Sequence, residues 1–129
     1  MLRTMLSSKL HRARVTDRDI DYEGSIEIDE ALMDEVGILP HEQVHIYDIN
    51  NGNRFITYAI PGPRGGGGIS VNGAAARMVE KNDHIIIAAY GTMELDKDDS
   101  YQPRVLLLDD NNHVVERQGS LGLTAKAFS

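Results

Sequence analysis

The tetrapeptide Tyr22-Glu23-Gly24-Ser25 holds the residue types best suited to breaking a bond. A serine hydroxyl lies beside the carbonyl of the residue before it, the geometry an N→O acyl shift requires, and Gly24 permits a strained backbone. On composition alone this is only a turn. A second group is Arg54, Thr57 and Tyr58: on a strand, Arg54 and Tyr58 share one face while Thr57 points to the other. His41 to His45 reads HEQVH, a literal match to a zinc-protease pattern. That chemistry needs both histidines on one helical turn. Here Pro40 precedes the first and the second sits in the alternating run VHIYDI, where residues four apart lie about 13 Å from one another. Two such histidines cannot share one zinc. Arg64 to Gly68 lacks the Lys-Ser/Thr that a P-loop needs after its glycines, since Ile69 follows. It reads as a flexible connector whose amides can form part of an anion nest. No Ser–His–acid triad can be argued from spacing, and five scattered histidines are unremarkable.

The elements that must position these groups are mostly short β segments separated by turn signals. Residues 2–15 show no helical stripe, and Lys9 to Val15 alternates. Ser25 to Ile28 alternates again, with Ile26 and Ile28 on one face. Asp29 is a fitting N-cap for a helix over EALMDEV, with Gly37 at its end. Val44 to Ile49 alternates strictly, and Asn50-Asn51-Gly52-Asn53 turns the chain into a strand from Arg54 to Ile60. Pro61 to Gly68 (PGPRGGGG) reads as a loop, Asn72 to Met78 as a short helix and Asp83 to Ala89 as a buried strand. Arg104–Asp109 and His113–Glu116 flank a second hairpin turn. The last ten residues carry no strong pattern and are expected to form a loose tail. Many short strands with few helices point to a small, mainly β barrel, since closure removes exposed edges.

With 129 residues, 41% of them apolar and 26% charged, the chain fits a single globular domain over residues 1–129. It lacks Trp and has two Phe, so aliphatic side chains must build the core. Its longest apolar run, Ile85 to Ala89, falls far short of the roughly 20 residues of a membrane span. No secretory signal is expected, and an arginine-rich transit peptide is disfavoured because the N-terminal segment runs unbroken into strand-like sequence. Zero Cys excludes disulfides and thiolate metal sites and agrees with a cytoplasmic protein. Residues 1–16 carry a charge of +4 from Arg3, Lys9, Arg12 and Arg14, against a net −7 for the whole chain. An acidic body argues against nucleic-acid binding. Its basic N-terminal segment suits a local anion site.

Three stretches in order and in register resemble the pyruvoyl-dependent aspartate 1-decarboxylase family: MLRTMLSSKLHRARVTDRDIDYEGSIEID, NGNRFITYAIPGPRG and ISVNGAAARMVEKNDHIIIAAYGTM. They cover roughly residues 1–93, and the segment after Met93 adds little. The resemblance implies a six-stranded double-psi β-barrel and a homotetramer with sites between subunits. It implies a proenzyme that cuts itself at Gly24–Ser25 into a β chain (1–24) and an α chain (25–129) whose position 25 becomes a covalent pyruvoyl group. The family's cut proceeds unaided or with a maturation helper protein, and both fit these residues.

The reaction so implied is decarboxylation of L-aspartate to β-alanine and CO2 in pantothenate biosynthesis, with position 25 forming a Schiff base with the substrate amine. By the same resemblance Tyr58 is the proton donor and Arg54 holds the side-chain carboxylate. Lys9 and His11 add positive potential, and the backbone of Gly73, Ala74 and Ala75 cradles the substrate. Thr57 and Asn72 assist the cut and contact substrate, while Tyr22 lines the cleavage turn. No metal is implied. Two departures stand out: Ile26 follows the serine where some members carry a small residue or Cys, and PGPRGGGG is unusually glycine-rich, which predicts a more mobile loop. The rival readings are an uncut, non-catalytic β-barrel binding module and a decarboxylase for another amino acid such as glutamate.

Overall fold

The computed structural model describes residues 1–119. The tail expected over the last ten residues lies outside them. Its strands are β1 (Leu2–Arg14), β2 (Asp17–Asp19), β3 (Ser25–Asp29), β4 (Gln43–Asp48), β5 (Arg54–Gly62), β6 (Ile69–Asn72), β7 (His84–Glu94), β8 (Arg104–Leu108) and β9 (Val114–Gln118). One α-helix, α1 (Glu30–Val36), and one 3-10 helix (Gly73–Met78) complete the described elements. The class is mainly β with few short helices, as the alternating pattern predicted.

The strands form one sheet in the order β2-β6-β3-β5-β4-β7-β1-β8-β9. Parallel pairs β1·β8, β2·β6 and β3·β5 join strands far apart in sequence and interleave with antiparallel ones, a mix in keeping with a double-psi barrel. Closure follows from chain continuity. β1 lies towards one end of the order and β2 at the other, yet only Val15 and Thr16 separate them. Val15 N–H donates to the Asp83 carbonyl (2.9 Å) and Thr16 N–H to the Ile69 carbonyl (2.8 Å), so adjacent residues tie both sides together.

Alternation with a period of two sends one face of each strand inward. Leu10, Ile26, Ile46, Ala59, Val71, Ile87 and Leu106 are fully buried there, an aliphatic core as the aromatic-poor composition required. In β1 the simple alternation breaks: Leu10 pairs with Ile87 but Ala13 with Ile85. Arg12 takes φ +63° in this bulge. The extra residue re-phases the strand, so both Leu10 and Ala13 face the core.

Helix α1 matches its sequence signals: the Asp29 side chain accepts from Ala31 N–H, and Gly37 ends the helix at φ +84° with its N–H on the Met33 carbonyl. The expected loop from Pro61 is corrected, because β5 continues to Gly62 with Pro61 opposite Ile28. Strand β6, which the sequence reading left unassigned, occupies Ile69–Asn72, and the short helix after it is a 3-10 turn. The glycine-rich loop is tied to the N-cap of α1. Both Asp29 carboxylate oxygens accept backbone amides from it, Gly65 to Oδ1 and Gly67 to Oδ2, each at 2.9 Å. The anion held by those amides is therefore the chain's own carboxylate. Burial works against the charge, but the Gly65, Gly67 and Ala31 amides and Arg64 hold the Asp29 pKa below the ordinary aspartate value.

Asp48, at the end of β4, is the opposite case. Its carboxylate organises the Asn50–Asn53 turn by accepting from Asn50 and Asn51 N–H. Burial, and the neighbouring Asp83 carboxyl, nonetheless push its pKa up to about 6. The folded chain therefore holds this proton more tightly than the unfolded one, so stability falls as pH rises from about 4 to 6 and stays at the lower level above. Asp48→Asn keeps an oxygen for both amides and cannot ionise. It is expected to raise unfolding free energy by about 1–3 kcal/mol at pH 7.5 and by about a third as much at pH 4.5, read from urea denaturation at both values.

Candidate functional site

Ser25 opens β3, directly after the exposed turn Tyr22–Gly24. Antiparallel pairing sets it opposite Asn72, the last residue of β6. Both are buried, at 1% and 4% exposure, although the turn beside them is open to solvent. Asn72 Nδ2 donates to Ser25 Oγ at 3.2 Å. The serine hydroxyl donates to the Glu23 carbonyl at 3.4 Å. Ser70 Oγ donates to Asn72 Oδ1 at 3.1 Å, which fixes which end of the amide faces the serine. A hydroxyl oxygen has two lone pairs, so one accepted bond leaves the second for attack on a carbonyl.

The glycine that this arrangement demands is Gly73. Its φ is +75°, and a Cβ there would lie 2.6 Å from Gly24 Cα and 2.8 Å from Gly24 N. Gly24 itself, where the sequence reading placed the strain, has no atom within 4 Å of an added Cβ and does not adopt positive φ. The turn can rest against the start of the 3-10 helix only because residue 73 has no side chain. That helix is held from outside: Arg18 donates to the Ala76 (3.1 Å) and Val79 (2.9 Å) carbonyls, and Asn51 and Asn53 both donate to the Met78 carbonyl. Ala74 is exposed on it and Ala75 half-buried.

Register places the remaining candidates. β3·β5 pairing begins at Ile26 opposite Ala59, so one step earlier Tyr58 stands abreast of Ser25 and Thr57 abreast of Gly24. Thr57 pairs with the buried Val44 and faces inward, as the strand reading required. Tyr58 faces outward, its ring 6.2 Å from that of His41. Arg54 lies on the same face about 13 Å away along β5. It sits over the Tyr47 ring, 4.7 Å from its centroid, in a cavity of about 470 Å3 lined by His45, Tyr47, Arg54, Phe55 and Ile56.

One transverse row of register partners runs Ile56, His45, Ala88, Lys9, Val105, Gln118 across β5, β4, β7, β1, β8 and β9. Lys9 thus shares the outward face with Tyr58 and Arg54, three strands or about 14 Å along the sheet from β5. Lys9 and His11 line their own cavity of about 320 Å3 with Val105, Leu107 and Gln118. Burial, then Lys9 and Arg12, push the His11 pKa down, and its Nδ1 is buried without a hydrogen-bond partner. Both effects favour the neutral form of the ring. Of the HEQVH pair, His45 lies in β4, whereas His41 precedes it at φ +72°.

The fold thus gathers Tyr22, Gly24, Ser25, Asn72 and Gly73, sets Thr57 and Tyr58 on the adjoining strand, and leaves Lys9–His11 and Arg54 in two separate cavities of one face. Ser70, Arg18, Asn51 and Asn53 were missed from sequence. Ser70 could have been found once a strand was read through ISVN, since it lies two residues from Asn72 on the same face.

A family profile described as Aspartate decarboxylase matches residues 1–115, beyond the Met93 limit of the stretches noted above. The chain belongs to the aspartate decarboxylase family. It is 54% identical over 120 residues to the aspartate 1-decarboxylase of Shouchella clausii (strain KSM-K16), covering 93% of this chain and 94% of that one. It is 57% identical over 112 residues to the Caulobacter vibrioides (strain ATCC 19089 / CIP 103742 / CB 15) enzyme of the same name, covering 87% and 95%. A solved structure of a rationally designed protein, mkDPBB_sym_86, overlays 64% of this chain and 90% of its own at TM-score 0.42 and 16% identity. No helix among the described residues is long and apolar enough to cross a membrane.

Gly73→Ala must accept a left-handed backbone and a clash with backbone atoms. It is expected to cost at least ~1–2 kcal/mol of stability. Gly24→Ala, with open space, should stay within about 0.5 kcal/mol. Urea unfolding of the two variants side by side checks this contrast.

Proposed function

We propose that this chain decarboxylates L-aspartate to β-alanine and CO2 for pantothenate biosynthesis, after cutting itself between Gly24 and Ser25. The observation that carries the reading is the buried Ser25 hydroxyl, held by Asn72 at the end of an exposed Tyr22–Gly24 turn. Ser25 Oγ attacks the Gly24 carbonyl carbon. The C–O bond forms, the peptide C–N bond breaks, and the hydroxyl proton passes to the Ser25 nitrogen, leaving an ester. Loss of the Ser25 α-proton and of the Gly24 carboxylate breaks the Cβ–O bond and gives dehydroalanine, which water hydrolyses to a pyruvoyl group and ammonia. Asn72 steadies the oxygen that reacts, and its amide is oriented by Ser70.

The serine at position 25 and the acceptor and donor around it suit formation of that group. Once formed, it supplies a carbonyl that engages the substrate amine and an electron sink for the departing carboxylate. The chain's own residues do the rest. Arg54 grips the side-chain carboxylate with its planar fork of donors. Lys9 adds positive potential for a dianionic substrate, and Tyr58, abreast of position 25, returns a proton to the product. The family resemblance implies that the complete site forms where subunits of a homotetramer meet, which suits Lys9 and Arg54 lying in separate cavities of one outward face. The protein acts in the cytoplasm.

Intact mass under denaturing conditions tests this directly. Two fragments are expected, split at Gly24/Ser25, the larger lacking one ammonia relative to simple hydrolysis. Ser25→Ala should remain a single, folded, inactive chain. Decarboxylation by that variant would refute the pyruvoyl role, and a wild-type chain that stays whole would favour an uncut binding module. Tyr58→Phe should cut normally and release CO2 about 100-fold more slowly. A wild-type rate removes Tyr58 as the donor.

A further inference from the structure

The Arg54 side chain makes no hydrogen bond or ion pair among the described residues, so its guanidinium N–H donors are unspent. What holds it is a ring. Tyr47 is its cross-strand partner in the last pair before the β4–β5 turn, and the guanidinium lies 4.7 Å from the ring centroid. A contact with a ring face uses none of the guanidinium N–H donors in a hydrogen bond, so they stay open to a ligand. A carboxylate partner would have taken them. The Tyr47 ring is itself fixed: its hydroxyl is 2.8 Å from the Tyr90 hydroxyl on β7. His45 packs edge-on to the rings of Tyr90 at 4.9 Å and Tyr47 at 6.3 Å. The hydrogen bond to Tyr47, then burial, raise the Tyr90 pKa, with Arg54 opposing. Tyr90 is therefore uncharged at neutral pH and does not repel an incoming anion.

We infer that Tyr47, braced by Tyr90, is a positioning residue that holds Arg54 with its donors open, and so sets the affinity for a substrate's side-chain carboxylate. This rests on the reading of Arg54 as the group that receives that carboxylate. A long side chain ordered in advance has less freedom to lose when the ligand arrives, so the effect belongs to binding and not to bond breaking. The ring's face, not its hydroxyl, is what touches Arg54, so phenylalanine should serve almost as well.

The test uses the fully processed enzyme. Tyr47→Leu is expected to raise KM for aspartate about 5- to 20-fold with kcat within about 2-fold, while Tyr47→Phe stays within about 3-fold of wild type in KM. Succinate, a dicarboxylate with no amine, provides a readout free of turnover: its calorimetric Kd should weaken for Tyr47→Leu by the same factor as KM. If the leucine variant does not accumulate, Tyr47→Gln carries the same expectation. Arg54→Ala separates the two ideas. If Arg54→Ala leaves KM and succinate binding unchanged, the carboxylate role of Arg54 is wrong. If Arg54→Ala weakens both but Tyr47→Leu weakens neither, the positioning role is overturned while Arg54 stands. Equal losses in Tyr47→Phe and Tyr47→Leu, or a fall in kcat with KM unchanged, would mean that Tyr47 merely supports the sheet and would also overturn it.

Discussion

Two backbone hydrogen bonds made by consecutive residues, from Val15 to Asp83 and from Thr16 to Ile69, hold the sheet shut. Because one stretch of chain belongs to both sides of the seam, the barrel needs no long edge strand to be covered there. Closure makes inside and outside distinct for every strand between β2 and β1. The inside takes aliphatic side chains, and the outside is left for groups that must meet water, substrate or another subunit. Ser25, Asn72, Tyr58, Arg54 and Lys9 are all outward by register. Of these, Ser25 and Asn72 are sheltered by the turn above them. The candidate residues thus lie on the barrel wall, not in its interior.

Local signals were readable where one segment contained both the demand and the residue that answers it. Asp29 and Gly37 bracket α1, and Asn50–Asn53 sits between two alternating runs, so these elements could be placed from sequence. Elements failed where the partner lay elsewhere in the chain. Pro61 reads as a strand breaker, but β4 pairs with β5 only as far as Tyr58, so Pro61 has a β partner on one side only and its missing N–H disrupts no ladder. The bulge at Arg12 has no local marker, because it answers the spacing of inward residues on β7. The glycine-rich loop was read by composition as loose, whereas Asp29, far away in sequence, grips two of its amides.

The candidate site divides the same way. The family resemblance pointed to Gly24–Ser25, Arg54, Tyr58 and the NGAAA stretch, which lie at the turn into β3, on β5, and at the end of β6 with the 3-10 helix. The supports were silent in the sequence. Arg18 reaches across to carbonyls of the 3-10 helix, and Asn51 and Asn53 join that helix to the turn that leads into Arg54. None of these contacts has a characteristic spacing. Gly73 was legible as part of a motif, but its reason, the close approach of Gly24, is visible only in three dimensions.

Strand β1 lies between β7 and β8, and with β2 it belongs to the first 24 residues. A chain severed after Gly24 therefore keeps its small piece woven through the middle of the sheet, where it contributes Lys9 and both bonds of the seam. A protein so divided would be a fragment-complementation pair, assembled before the cut. Once its two pieces unfold and part, they must find each other again by diffusion. Reassembly becomes second order in concentration, while the uncut chain folds in first order. Under the proposed maturation, the barrel would fold as one molecule only before the cut, and its refolding afterwards would depend on concentration.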